Sequence, residues 1–154
     1  MTGITSFGAY LPRPRLNRMA IVEQMGWFAP AIVMVAAGEK SFCNLDEDSL
    51  TMAVAAARDA LAGQPRAGLD GVYLASTTLP FADRLNAGLM KTALNLPDRL
   101  SALDITGGLR AGTSALVEAL GAVASGNKKS ALVAAADKRE TKAAYFYEMW
   151  FGDG

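Results

Sequence analysis

Chemistry is most readily placed at Thr106-Gly107-Gly108, between the apolar run Ser101 to Ile105 and the small-residue stretch that follows. A strand that turns through two glycines into a helix presents unpaired backbone N–H groups at the helix start, and a ligand oxygen can sit against them. Arg110 and Thr113 follow at once. A guanidinium there can grip a phosphate or carboxylate in two-pronged fashion, or it can bridge to Asp104 or to a partner subunit. The plain alternative for the glycines is a tight turn into a core helix, because many strand-turn-helix units bind nothing.

Other chemistries are removed by composition. The 154 residues contain no histidine, which eliminates Ser-His and Cys-His catalysis and histidine-held zinc within the chain. No metal site is expected. The single cysteine, Cys43, has no partner for an intramolecular disulfide and lies in a polar stretch far in sequence from the glycine turn, so it reads as a small packing side chain. Fifteen basic and fifteen acidic residues cancel, which leaves no footprint for nucleic acid and no acidic tail. No N-terminal run has the order of a signal peptide, and the most apolar early segment, Trp27 to Ala37, falls well short of the ~20 residues that span a bilayer. The expectation is a cytoplasmic protein.

The elements that must position these residues follow from pattern. Gly3 to Pro12 alternates enough to be a first strand, broken by Pro12-Arg13-Pro14. Asn17 can cap a short helix from Arg18 to Met25, and Gly26 to Ala37 reads as irregular to helical. Asp46 or Asp48 can cap a strong helix that Gly63 ends, with Leu50, Val54, Ala57 and Leu61 as its buried stripe. Strands are expected at Gly71–Thr77, Ser101–Ile105 and Ser130–Ala136, with helices near Arg84–Leu94 and Leu109–Ser125 between them. The last helix carries a face of Ala111, Ala115, Ala119 and Ala122 and is expected to be mostly buried. Near-continuous apolar strands alternating with helices imply an α/β fold with parallel βαβαβ crossovers. The closing stretch gathers Tyr145, Phe146, Tyr147, Met149, Trp150 and Phe151, a cluster that needs a surface to cover it.

Taken in order, "GAYLP", "GEKSFCNLDEDSLTMAVAAARDAL", "VYLASTT", "LDITGGLRAGTSAL", "ALVAAADKRE" and "FGDG" resemble the first half of the 3-hydroxy-3-methylglutaryl-CoA synthase and ketoacyl synthase III group of the thiolase-fold superfamily. The resemblance implies a thiolase-like α/β half-domain over residues 1–154, incomplete at its C-terminal end, with a parallel-rich sheet around a buried central helix. It also implies a coenzyme A thioester as substrate and no permanently bound cofactor. The family's nucleophilic cysteine sits at the helix start, where the dipole favours thiolate; that position falls on Leu109. The synthases' glutamate acid/base falls on Thr78, which has no proton to exchange near neutral pH. The first-half wall of the pocket would be Thr77, Thr78, Gly107, Gly108, Leu109, Arg110 and Thr113, with Arg13, Arg15 and Arg18 toward the coenzyme A arm. Gly152-Asp153-Gly154 would be a turn between two strands.

Two functions follow. One is an acyltransferase or carbon–carbon bond forming or cleaving enzyme whose second half supplies the histidine, asparagine or other reactive groups. Residues 1–154 alone would then be inactive. The other is a non-catalytic subunit that dimerises with or scaffolds an active partner, in a homodimer or with a thiolase-like or zinc-ribbon/OB-fold subunit. Both readings expect that Gly154 is not the natural end of the polypeptide, and that the segment alone would aggregate or bind its other half.

Overall fold

In the computed structural model, which describes residues 2–154, Asn17 closes strand β1 (Arg15–Asn17) and caps helix α1 (Arg18–Met25), accepting the Met19 N–H at 2.9 Å. Helix α1 has the bounds its sequence predicts. Strand β2 (Glu39–Ser41) pairs antiparallel with β1. A 3-10 turn at Pro30–Val35 occupies the segment read as irregular to helical. Helix α2 (Ser49–Ala60) begins with a full capping box: the Asp48 carboxylate accepts the Thr51 N–H, and the Thr51 hydroxyl accepts the Asp48 N–H. Its stripe of Leu50, Val54, Ala57 and Leu61 is buried as expected.

Strand β3 (Gly71–Ala75) is buried at every residue, as an apolar run without alternation requires. Helix α3 (Asn86–Ala93) leads to strand β4 (Ser101–Ile105), and helix α4 (Ala111–Ala124) leads to strand β5 (Ala131–Ala135). The sheet runs β4-β3-β5, all parallel, with Gly71 opposite both Ser101 and Ala131. Tyr73 and Ala75 pack on Ala111, Ala115 and Ala119 of α4. Val72 and Leu74 point to the other face by the two-residue period, where α2 and α3 meet the sheet. Helix α5 (Phe146–Trp150) closes the element order.

Contacts divide the chain into two compact units, neither of them a single stretch of sequence. The first is Asp48–Asp137 with the N-terminal residues through Tyr10, and it holds the parallel sheet. The second joins Leu11–Glu47 to Lys138–Gly154 around a core of Ile21, Ile32, Ala36, Ala144 and Met149.

Two expectations are corrected. Gly3 to Pro12 forms no strand, because no strand lies beside it to complete a ladder; the segment follows α2 instead, with the Ala9 N–H on Asp59 Oδ2 at 3.1 Å. Helix α4 is not mostly buried: one alanine face is covered, while Leu116 and Val117 are 36% and 64% exposed. Gly152 lies so close to Ser41 that a Cβ would come within 2.7 Å of its hydroxyl, and the Asp153 carboxylate accepts the N–H groups of Cys43 and Arg139. No helix among the described residues is long and apolar enough to cross a membrane.

Candidate functional site

In a parallel sheet all strands end on the same side, and side chains just past those ends converge in one row. Here the row is Ser76, Thr106 and Asp137. It is tied together by backbone, with the Ser76 N–H on the Ile105 carbonyl at 3.1 Å and the Ala136 N–H on the Ala75 carbonyl at 3.2 Å.

Asp137 organises the β3 side of the row. Its Oδ1 accepts from the Ser76 hydroxyl (3.0 Å), the Thr77 N–H (2.7 Å), the Thr77 hydroxyl (3.0 Å) and the Thr78 hydroxyl (3.3 Å). Four donors converge on that oxygen, which makes it the anchor of the loop. The loop is also held from α2, whose Ser49 hydroxyl donates to the Thr78 carbonyl at 2.7 Å. Thr77 and Thr78 are therefore placed in a rigid polar turn.

The β4 side carries the glycine turn. Gly107 has φ +89°, a left-handed conformation that glycine adopts without cost. Gly108 accepts the Ala111 N–H at 3.0 Å, and Arg110 occupies the cap position of α4 with no side-chain cap bond. Helices α1 and α2 are capped by Asn17 and Asp48. Helix α3 is capped from a distance: Asp104 accepts the Asn86 N–H at 2.8 Å, the Asn86 side-chain amide at 2.9 Å and the Ala87 N–H at 2.6 Å. The start of α4 thus stands out as the long helix terminus whose donors no side chain meets, which is a place for a ligand oxygen.

The predicted site residues fall into three groups. Thr77 and Thr78 lie on the Asp137 anchor; Gly107, Gly108, Leu109, Arg110 and Thr113 lie at the start of α4, all but Thr113 in the turn itself. Leu109 is 75% exposed and Arg110 is exposed. The alternative bridge from Arg110 to Asp104 is not made, since that carboxylate is occupied by α3. Arg13, Arg15 and Arg18 belong to the other unit. Arg15 turns back onto the carbonyls of Pro12, Arg13 and Pro14, and Arg18 donates to the carbonyls of Ala37, Glu39 and Met149. Both act as struts of their own loops, and Arg13 is left at the surface.

Cys43 is unsuited to nucleophilic work. Burial first, and the neighbouring Asp153 carboxylate second, push its thiol from 9.0 up to about 12, so it stays protonated at neutral pH. Sequence reasoning missed Asp137 and Ser76. The available signal was position: Asp137 is the first polar residue after an apolar strand, as Ser76 and Thr106 are after theirs.

No family profile matches the chain. It is 36% identical over 139 residues to a hydroxymethylglutaryl-CoA synthase of Methanocella arvoryzae, covering 88% of this chain and 40% of that protein. It is 30% identical over 155 residues to the corresponding synthase of Caldivirga maquilingensis, covering 99% of this chain and 44% of the relative. Among solved structures, the β-ketoacyl-[acyl carrier protein] synthase III of Thermus thermophilus superposes with a TM-score of 0.75 at 25% identity, over 89% of this chain and 43% of that one. MvaS in complex with 3-hydroxy-3-methylglutaryl coenzyme A superposes with a TM-score of 0.88 at 21% identity, over 99% of this chain and 38% of that one. The chain therefore spans about two fifths of the length of the curated relatives it matches.

Proposed function

Because this chain is a thiolase-fold relative of the hydroxymethylglutaryl-CoA synthases and ketoacyl synthase III proteins, we propose that it forms one wall of an acyl-CoA site in a protein that makes or breaks a carbon–carbon bond. The observation that carries this reading is the open start of α4 beside the row of strand ends. Backbone N–H groups around Gly108 to Arg110 would polarise a thioester carbonyl. Arg110, exposed and not engaged by Asp104, would meet a phosphate or carboxylate of the substrate, with Thr77, Thr78 and Thr113 completing the polar wall. Leu109 forms no thioester and Thr78 exchanges no proton near neutral pH. The nucleophile and base would come from residues outside these 154, and residues 1–154 alone would bind without turnover.

Titration of the chain with acetyl-CoA tests this reading. Saturable binding, weakened about tenfold by Arg110→Gln as expected for loss of a charge-assisted contact, would support it. Acetyl-CoA binding that is absent, or that Arg110→Gln leaves unchanged, would overturn it.

A second reading, a non-catalytic subunit, is favoured by one observation. Leu109, onto which the resemblance would carry the family's nucleophile, is exposed, and Leu103 on β4 and Val117 on α4 are also exposed, at 47% and 64%. These side chains would form a dimer contact with a second copy or an active relative. Dimerisation together with no affinity for acetyl-CoA would select this reading over the first.

A further inference from the structure

At the opposite end of the sheet, where β3, β4 and β5 begin, the lining of an open cleft of about 350 Å³ includes three basic residues, Arg99, Lys128 and Lys129, and one acidic residue, Asp70. We propose that this cleft binds a phosphate monoester dianion.

The arrangement is a built one. Lys128 lies across the backbone of Gly71, where an added Cβ would come within 2.9 Å of its Cδ, so the glycine makes room for the lysine stem. Its ammonium is steered to the cleft by the Ser101 hydroxyl at 2.5 Å and the Asp70 carbonyl at 3.4 Å. The Asp70 carboxylate is turned onto the Lys129 N–H at 2.7 Å and so fixes the loop that carries both lysines. Arg99 enters from the α3–β4 connection, anchored by one nitrogen on the Ala67 carbonyl at 2.8 Å. Its other guanidinium nitrogens keep N–H donors that this bond does not use.

The charge balance selects the ligand. Three cations against one carboxylate leave two positive charges in a chain whose total is zero, and a phosphate monoester carries close to two negative charges at neutral pH. The negative end of α4 accounts for lysines just beyond its last turn. It does not account for Arg99, which belongs to a different connection and faces the same cleft. The tetrahedral oxygens of a phosphate suit donors brought to one cleft from two loops, Arg99 on one and Lys128 and Lys129 on the other.

The test is calorimetric titration of the chain in chloride buffer with inorganic phosphate and, separately, with adenosine 5′-monophosphate. Saturable binding with Kd near 1 mM or tighter is expected for at least one of them. Affinity should fall about tenfold in Arg99→Gln and in Lys129→Gln and stay unchanged in Lys142→Gln, an exposed position in the other unit. Equal urea midpoints for the four proteins exclude a loss through unfolding, since Arg99 and Lys129 are exposed. Binding of both ligands alike means that the phosphate group suffices; binding of the nucleotide alone means that the nucleoside also contacts the cleft. Either supports the proposal. No saturation with either ligand up to about 20 mM, or equal affinity in all four proteins, overturns it.

Discussion

Removing the Asp137 side chain takes away the oxygen on which the Ser76 and Thr77 hydroxyls and the Thr77 N–H converge, with Ser76 buried and Thr77 half-buried. Unmet donors at such a site cost on the order of 1–3 kcal/mol, more when the lost partner is charged. Asp137→Ala should therefore destabilise the chain by about 3 kcal/mol in urea unfolding, and Asp137→Asn, which keeps an acceptor but no charge, by about half as much. Equal losses would mean that charge plays no part in the anchor. Cys43 gives a second residue-scale outcome. With its thiol held at about 12 rather than 9.0, thiolate at pH 8 is depleted ~1000-fold, and the greater nucleophilicity of the more basic sulfur returns part of that. Iodoacetamide should thus modify the folded chain roughly 50-fold more slowly than the urea-unfolded chain. The raised value also sets a direction with pH. Between 9 and 12 the unfolded chain sheds this proton while the folded chain keeps it, so the contribution to stability is whole below 9 and is lost as pH rises. Cys43→Ala should flatten that part of the urea-midpoint profile. The place of Thr77 and Thr78 just past the end of β3 is legible in the sequence, because they follow its apolar run. Their anchoring by Asp137 is not, because a hydrogen bond across 60 residues leaves no local trace.

At the scale of elements, pattern worked where the cause is local. The capping of α1 by Asn17 and of α2 by Asp48 depends on side chains next to the helix, and the bounds of β4 follow from a short apolar run between polar turns. It failed where the cause lies elsewhere. The N-terminal segment has strand-like alternation but no strand beside it, and α4 has an apolar composition but one covered face. Helix α3 starts without a cap of its own and takes Asp104 from β4. Replacing Asp48 by Ala should cost about 1 kcal/mol, the usual value of a helix cap. Asp104→Ala should cost more, about 2–3 kcal/mol, because it frees two backbone donors, the Asn86 and Ala87 N–H groups, at a helix start where both residues are buried. If urea unfolding ranks the two in the reverse order, Asp104 does not couple β4 to α3 as its hydrogen bonds imply.

At the scale of the whole molecule, the sequence reads as one domain by length, whereas its contacts form two units, each interrupted by the other in sequence. Periodicity reports which face of a segment is apolar, but not which distant segment will cover it. Exposed Leu103, Leu109 and Val117 in one unit, and Tyr147 and Trp150 in the other, leave apolar surface facing water. Sedimentation of residues 1–154 should therefore show concentration-dependent association, and Leu103→Lys with Val117→Lys should reduce it. A monomer at all concentrations would show that these faces are tolerated by water. The interleaving of the units also bears on synthesis. The core of Ile21, Ile32 and Ala36 is closed by Ala144 and Met149, and Met149 is translated 113 residues after Ala36 (149 − 36). At about 5–20 residues per second the early hydrophobic segment waits roughly 6–23 s on the ribosome for its covering partner. Over that interval Asp48–Asp137 emerges as one uninterrupted stretch and can complete its sheet first, so the order of translation places the greatest demand for chaperone protection on residues 11–47.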